Sequence, residues 1–146
     1  MEHLDFYVKT SLQEGAGMGL YARRDYKKGD FVIEYTGVRI PTKIADEHKG
    51  RYLFEIDEKW TVDGEVSTNP ARYINHSCDP NTEAEIEKGA DREGHIMIYA
   101  HKDIADGEEM YIDYGDEYFN EFIRPTGCRC GSANCRSRKQ HLVRQK

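Results

Sequence analysis

RYINHSCDPN, Arg72 to Asn81, is followed thirty residues later by YIDYG, Tyr111 to Gly115. The two short segments hold an amide, an imidazole, a thiol and a phenol, the side chains from which a site can be assembled out of separate strands. Working outward from them, FYVKT from Phe6, FVIEY from Phe31, YLFEI from Tyr52, EAEIE from Glu83, HIMIYA from His95 and MYIDY from Met110 are too short for helices. Most are rich in β-branched or aromatic residues, so they read as strands. KKGD at Lys27, VDGE at Val62 and ADGEE at Ala105 punctuate them as turns. The fold class is therefore mostly β. Helix is expected only over Thr42 to Lys49, after Pro41, and where Asn69 and Pro70 supply an N-cap and a first helical residue. That second helix would deliver Asn75 and His76 at its end.

A chain of 146 residues can bury one core, not two, and predicts a single compact unit. Apolar residues make up 38%, and no apolar run approaches the roughly 18 residues of a membrane span. MEHLDFYVKT lacks the basic and apolar regions of a signal peptide, so the protein is expected to be soluble, intracellular and without a membrane partner. The net charge of −6 hides an asymmetry. Arg136 to Lys146 carries five basic residues and no acid, leaving sixteen basic and twenty-seven acidic residues in the rest, a net of −11. Such a body repels nucleic-acid phosphate and attracts cationic ligands such as lysine-rich peptides; the plainer reading is that the acids serve solubility.

Cysteines fall at 78, 128, 130 and 135, three of them in GCRCGSANCRS. Without a secretion signal, a metal site is favoured over disulfides. Cys128, Cys130 and Cys135 supply three thiolates where a closed structural zinc site takes four ligands. Cys78 is the expected fourth, with His141 as a substitute. Buried free thiols fit poorly, because the cluster's neighbours are Gly, Arg, Ser and Asn.

GAGMG, Gly15 to Gly19, has three glycines where backbone can approach a ligand closely. Alone it reads as no more than a hairpin turn, and no phosphate-binding glycine pattern is present.

In order, the glycine turn, EYTG, RYINHSCDPN, GEEMYIDYG and CRCGSANC closely resemble the SET domain family of protein lysine methyltransferases with its post-SET zinc motif. The resemblance spans about Gly15 to Ser137. It implies a β-clip fold of several small sheets around a pseudoknot, with residues 1–117 as catalytic domain and 118–146 as a zinc-binding tail packed on it. It further implies S-adenosylmethionine on one face, contacted by Ala16, Gly17, Met18 and Gly19, by the side chains of Arg72 and Asn75, by the backbone of His76 and by Tyr114. On the other face a lysine of a basic protein, such as a histone tail, would enter a channel holding Tyr114 as catalytic tyrosine and Tyr35 as wall. One structural zinc on Cys78, Cys128, Cys130 and Cys135 would hold the tail as a lid. Location would be nuclear or chromosomal in a eukaryote and cytoplasmic in a microbe.

Two departures qualify the resemblance. Many relatives carry Phe or Tyr two residues before the catalytic tyrosine; here Ile112 stands there, and addition of more than one methyl group is expected. After Cys135 the tail has no aromatic to cover the cofactor, leaving Leu142 or Val143 for that task. Only fourteen residues precede Gly15, leaving no room for a cysteine-rich pre-SET region, so a near-minimal catalytic module is expected. A silent SET-like module that binds basic peptides, and a zinc-stabilised scaffold without cofactor, are the competing readings.

Overall fold

The computed structural model describes residues 5–13, 15–48 and 52–115, together with Ile123, Cys130 and Cys135. Its strands are β1 (Phe6–Thr10), β2 (Met18–Ala22), β3 (Phe31–Tyr35), β4 (Val38–Pro41), β5 (Leu53–Glu55), β6 (Trp60–Asp63), β7 (Asn75–His76), β8 (Thr82–Lys88), β9 (Gly94–Ala100) and β10 (Glu109–Ile112). One helix, α1 (Thr42–His48), and a 3-10 turn over Pro70–Tyr73 complete the described elements. The mostly β expectation holds. The strands form three small sheets, in the orders β1-β2-β10-β7, β3-β9-β8 and β4-β6-β5.

Burial follows the pleat. In β9, Ile96, Ile98 and Ala100 point inward with at most 1% exposure, while their alternating neighbours are partly exposed. Strand β2 lies between β1 and β10, and Leu20, Tyr21 and Ala22 are all buried. Inward residues of the first two sheets, with Tyr35, Val62, Ala71 and Ile74, make one core cluster.

The feature that positions the site is β10. Its first half pairs antiparallel with β2, Glu109 opposite Tyr21 and Met110 opposite Leu20. Its second half pairs parallel with β7, Tyr111 beside Asn75 and Ile112 beside His76. Parallel neighbours need a long crossover, and here the intervening chain makes β8 and β9. The two segments far apart in sequence thereby become adjacent strands.

The Asn69–Pro70 start is real but its basis differs from the sequence expectation. Asn69 makes no side-chain cap, and the chain turns in 3-10 form. Fully buried, Asn69 instead accepts from the Thr36 amide (3.1 Å) and donates to the Gly64 carbonyl (3.1 Å). Two buried neighbours outcompete a local cap, and Asn75 and His76 follow as a short strand, not as a helix end.

Candidate active site

A cavity of about 250 Å³ lies where the three sheets meet, its lining including Tyr35, Tyr52, Phe54, Arg72, Ile112 and Tyr114. Strand β3 delivers Tyr35 at its end, where the residue is 8% exposed and its ring packs on Phe54 with centroids 5.2 Å apart. The Tyr35 hydroxyl donates to the Tyr52 carbonyl at 2.6 Å. Tyr114 follows β10, and its hydroxyl donates to the Ile74 carbonyl at 2.6 Å. A phenol whose proton is directed at a carbonyl turns acceptor lone pairs elsewhere, so both tyrosines are fixed in direction and both hydroxyl protons are already engaged. Exposed acids Glu55 and Asp113 lie in the same lining. Ile112 is 8% exposed and borders this cavity and a neighbouring one lined by Thr82, Glu83 and His101.

Arg72 belongs to this wall too. Its guanidinium lies over the Tyr73 ring at 4.7 Å and donates to the Tyr73 hydroxyl at 2.6 Å. Its Nε is buried and, among the described residues, unpartnered. An orphaned donor of this kind costs about 1–3 kcal/mol unless a ligand or water accepts from it.

The glycine turn is built from the loop between β1 and β2. The Ser11 amide donates to the Gly17 carbonyl (2.8 Å), closing the loop, and the Gln13 side chain donates to the His76 carbonyl (3.0 Å), pinning it to β7. Gly17 has φ +78° with open space where a side chain would stand, so its backbone is bare to a ligand, and Met18 beside it is 43% exposed. Gly19 faces inward instead, where a methyl would overlap the Glu109 carboxylate. The Asn75 amide donates to the Met18 carbonyl at 2.9 Å and to Glu109 at 3.3 Å, so both its hydrogens are spoken for and its oxygen is left as acceptor. A bare turn, an oriented amide acceptor and the unpartnered Arg72 Nε fit a ligand carrying both a cationic and an anionic group, as the methionine portion of S-adenosylmethionine does.

The metal-ligand atoms of Cys78, Cys130 and Cys135 lie within 4.8 Å of one another, a thiolate set suited to zinc. Cys128, His141, Leu142 and Val143 lie outside the described residues. Sequence reasoning missed the role of His76 here. Its Nδ1 accepts from the Tyr114 amide at 3.1 Å, which puts the ring proton on Nε2, 3.4 Å from the Cys78 sulfur. With 5% exposure, His76 ties the tyrosine to the cysteine cluster. The adjacency of His76 and Cys78 in one string was the only available signal, since Tyr114 is remote in sequence.

The SET domain family pattern matches residues 17–115. The histone-lysine N-methyltransferase trr of Drosophila melanogaster is 41% identical over 128 residues, covering 82% of this chain and 5% of that protein. The histone-lysine N-methyltransferase, H3 lysine-4 specific, of Schizosaccharomyces pombe is 40% identical over 128 residues, covering 82% of this chain and 14% of that protein. The chain therefore spans only a small part of these relatives. A solved structure of the Chaetomium thermophilum polycomb repressive complex 2, in an autoinhibited conformation bound to S-adenosylmethionine, superimposes with a TM-score of 0.70 at 32% identity. That match covers 99% of this chain and 17% of the other. Because the matched pattern runs from Gly17 of the turn through the tyrosine cavity and the β7–β10 pairing, the chain belongs to the SET domain family.

Proposed function

We propose that the chain is an S-adenosylmethionine-dependent protein-lysine N-methyltransferase acting on a lysine in a basic, histone-like peptide. The observation that carries this reading is the cavity of about 250 Å³ whose wall combines Tyr35, Tyr52 and Phe54 with the anchored hydroxyl of Tyr114. Aromatic walls suit both the stem and the cationic head of lysine, and the exposed carboxylates of Glu55 and Asp113 suit its approach. The substrate, by this reading, is a positively charged protein segment and not a nucleic acid, given the −11 body; in a eukaryote the place of action is the nucleus.

When bound, S-adenosylmethionine supplies a methyl group on a sulfonium; Gly17, Met18, Arg72, Asn75 and the His76 backbone would hold it. The chain's own task is to present a neutral amine. A free lysine has a pKa near ~10.4, so at pH 7 roughly 3.4 units, or about 4.6 kcal/mol, must be offset. The Arg72 guanidinium in the cavity wall works in that direction, because a fixed like charge favours the neutral form, as does exclusion of water by the aromatic rings. Tyr114 orients the amine through its lone pairs and takes no proton; holding amine and methyl in line supplies most of the rate. Ile112 brings no hydroxyl to restrain a methylated amine, so more than one methyl group is added. Cys78, Cys130 and Cys135, with Cys128, would hold a structural zinc that fastens residues 118–146 to the catalytic domain of residues 1–117.

Mass spectrometry of histones incubated with the protein and methyl donor tests the reading, with di- or trimethyl-lysine as the expected product. Tyr114→Phe should reduce the rate by about 10²-fold, in line with loss of one oriented polar group at a reacting centre. If the wild-type protein binds donor by calorimetry yet methylates nothing in a broad protein lysate, a silent peptide-binding module replaces this reading. If Tyr114→Phe keeps its full rate, the role given to Tyr114 is wrong.

A further inference from the structure

We propose that Glu109 is a positioning residue of the methyl-donor site, a buried carboxylate that sets both the glycine turn and the Asn75 amide; this rests on reading those groups as cofactor contacts. Glu109 is 3% exposed at the start of β10, five residues before Tyr114. Its Oε1 accepts from the Leu12 amide (2.9 Å) and the Tyr111 hydroxyl (2.7 Å). Its Oε2 accepts from the Ser11 hydroxyl (2.6 Å) and the Asn75 side chain (3.3 Å). The Tyr21 hydroxyl lies 3.5 Å from Oε1, with its proton directed at the Thr10 carbonyl 2.7 Å away. Four donors thus converge on two oxygens, which matches the acceptor capacity of a carboxylate.

No isostere satisfies this arrangement. In Glu109→Gln one oxygen becomes an NH₂ group. Turned one way, it meets the Leu12 amide, a backbone donor that cannot rotate. Turned the other way, it meets the Asn75 amide, which cannot flip without setting its own oxygen against the Met18 carbonyl. Either orientation leaves two donors facing each other. The turn is equally fitted to the carboxylate, because Gly19 is bare on the side where Glu109 stands.

What is held is the loop that ends in the bare backbone of Gly17. Ser11 and Leu12, fixed by Glu109, open it, and the Ser11 amide closes it onto the Gly17 carbonyl. Burial, and next the bond to Glu109, push the Tyr111 pKa upward, so this hydroxyl stays a donor across the working pH range. Asn75 is locked by the same carboxylate. Glu109 touches neither the cavity around Tyr114 nor the bare face of Gly17, so its effect on a ligand runs through the groups it holds.

The test compares wild type, Glu109→Gln and Ser11→Ala by amide hydrogen exchange without cofactor, calorimetric binding of S-adenosylmethionine, and kcat at saturating cofactor. For Glu109→Gln, a lost buried hydrogen bond predicts exchange of residues 11–19 and the cofactor Kd and KM each raised about tenfold, with kcat within about threefold of wild type. Ser11→Ala, which removes one donor and keeps the carboxylate, should move exchange and Kd the same way by about threefold. The β3-β9-β8 sheet should keep its protection in both. Wild-type exchange and affinity in Glu109→Gln would overturn the proposal, as would a fall in kcat with unchanged Kd. Should Glu109→Gln not fold, Ser11→Ala decides: faster exchange with weaker binding supports the proposal, and wild-type values overturn it. Failure of the wild-type protein to bind S-adenosylmethionine would instead sink the cofactor reading, while the exchange arm still reports on Glu109.

Discussion

Gly64 sits where any side chain would overlap the Tyr35 ring. The Tyr35 hydroxyl is bonded to the Tyr52 carbonyl and its ring is packed on Phe54, so the ring can give way only by breaking these contacts or moving into the cavity it lines. Gly64→Ala should therefore cost about 1–3 kcal/mol, the usual range for overpacking. It should also raise the KM for peptide about tenfold, the equivalent of ~1.4 kcal/mol lost from the cavity wall, with cofactor affinity unchanged. Thermal melts and steady-state kinetics check this; a variant with wild-type peptide KM would show that Tyr35 does not shape the channel. In the sequence VDGE reads as a turn, and that is all Gly64 shows there. The same limit holds for Glu109, one acid among twenty-seven until two other segments are folded around it. Asn75, His76 and Tyr114 were legible as chemistry because their residue types are informative by themselves; the partners that orient them were not.

Strands were legible in proportion to their length and pattern. HIMIYA alternates and forms β9, whereas β7 is two residues long and exists only because β10 lies beside it. β2 carries Gly19 and is buried on both faces, so its sequence shows no period of two and reads as part of a turn. The β8–β9 hairpin carries a pH-dependent clasp. His95 on β9 places Nδ1 2.9 Å from Glu34 on β3 and Nε2 3.0 Å from Asp91 in the hairpin turn, while Arg39 on β4 pairs with Glu93 at 3.3 Å. Hydrogen bonds, first to Glu34 and next to Asp91, raise the His95 pKa above its usual 6.5. A raised folded-state value means that the folded protein holds this proton more tightly than the unfolded chain. The stabilisation is complete below the unfolded value of ~6.5 and is lost as pH rises through the higher folded value. Denaturant melts between pH 5.5 and pH 9, offered as roughly bracketing that window, should show stability falling with pH more in wild type than in His95→Gln. Equal slopes would mean that the clasp contributes nothing.

Across the whole molecule, the cysteine cluster and Tyr114 are linked through one ring. His76 spans from the Tyr114 amide on Nδ1 to the Cys78 sulfur on Nε2, and its ring lies 5.3 Å from that of Tyr114. Cys78 in turn is gathered with Cys130 and Cys135, which come from a segment more than fifty residues further along the chain. A thiolate bound to zinc is a fixed acceptor for the Nε2 proton, and the ring orientation then presents Nδ1 to Tyr114. With zinc on these thiols, this would be the outer-sphere arrangement that stiffens metal ligands, run in the reverse direction, so that the metal would stiffen Tyr114. Removing the metal should release that hold, because structural zinc contributes apparent free energies on the order of 10–16 kcal/mol in small peptides. The expected outcome is one zinc per chain by elemental analysis. On chelation, hydrogen exchange should then quicken in the peptide containing Tyr114, while the β3-β9-β8 sheet keeps its protection. Cys78→Ser should reproduce the effect without chelator, since the weaker ligand breaks the cluster at the point where His76 meets it. If the protein holds no zinc, or if exchange at Tyr114 ignores its removal, the cluster is not coupled to Tyr114 and His76 serves only to pack β7 against β10.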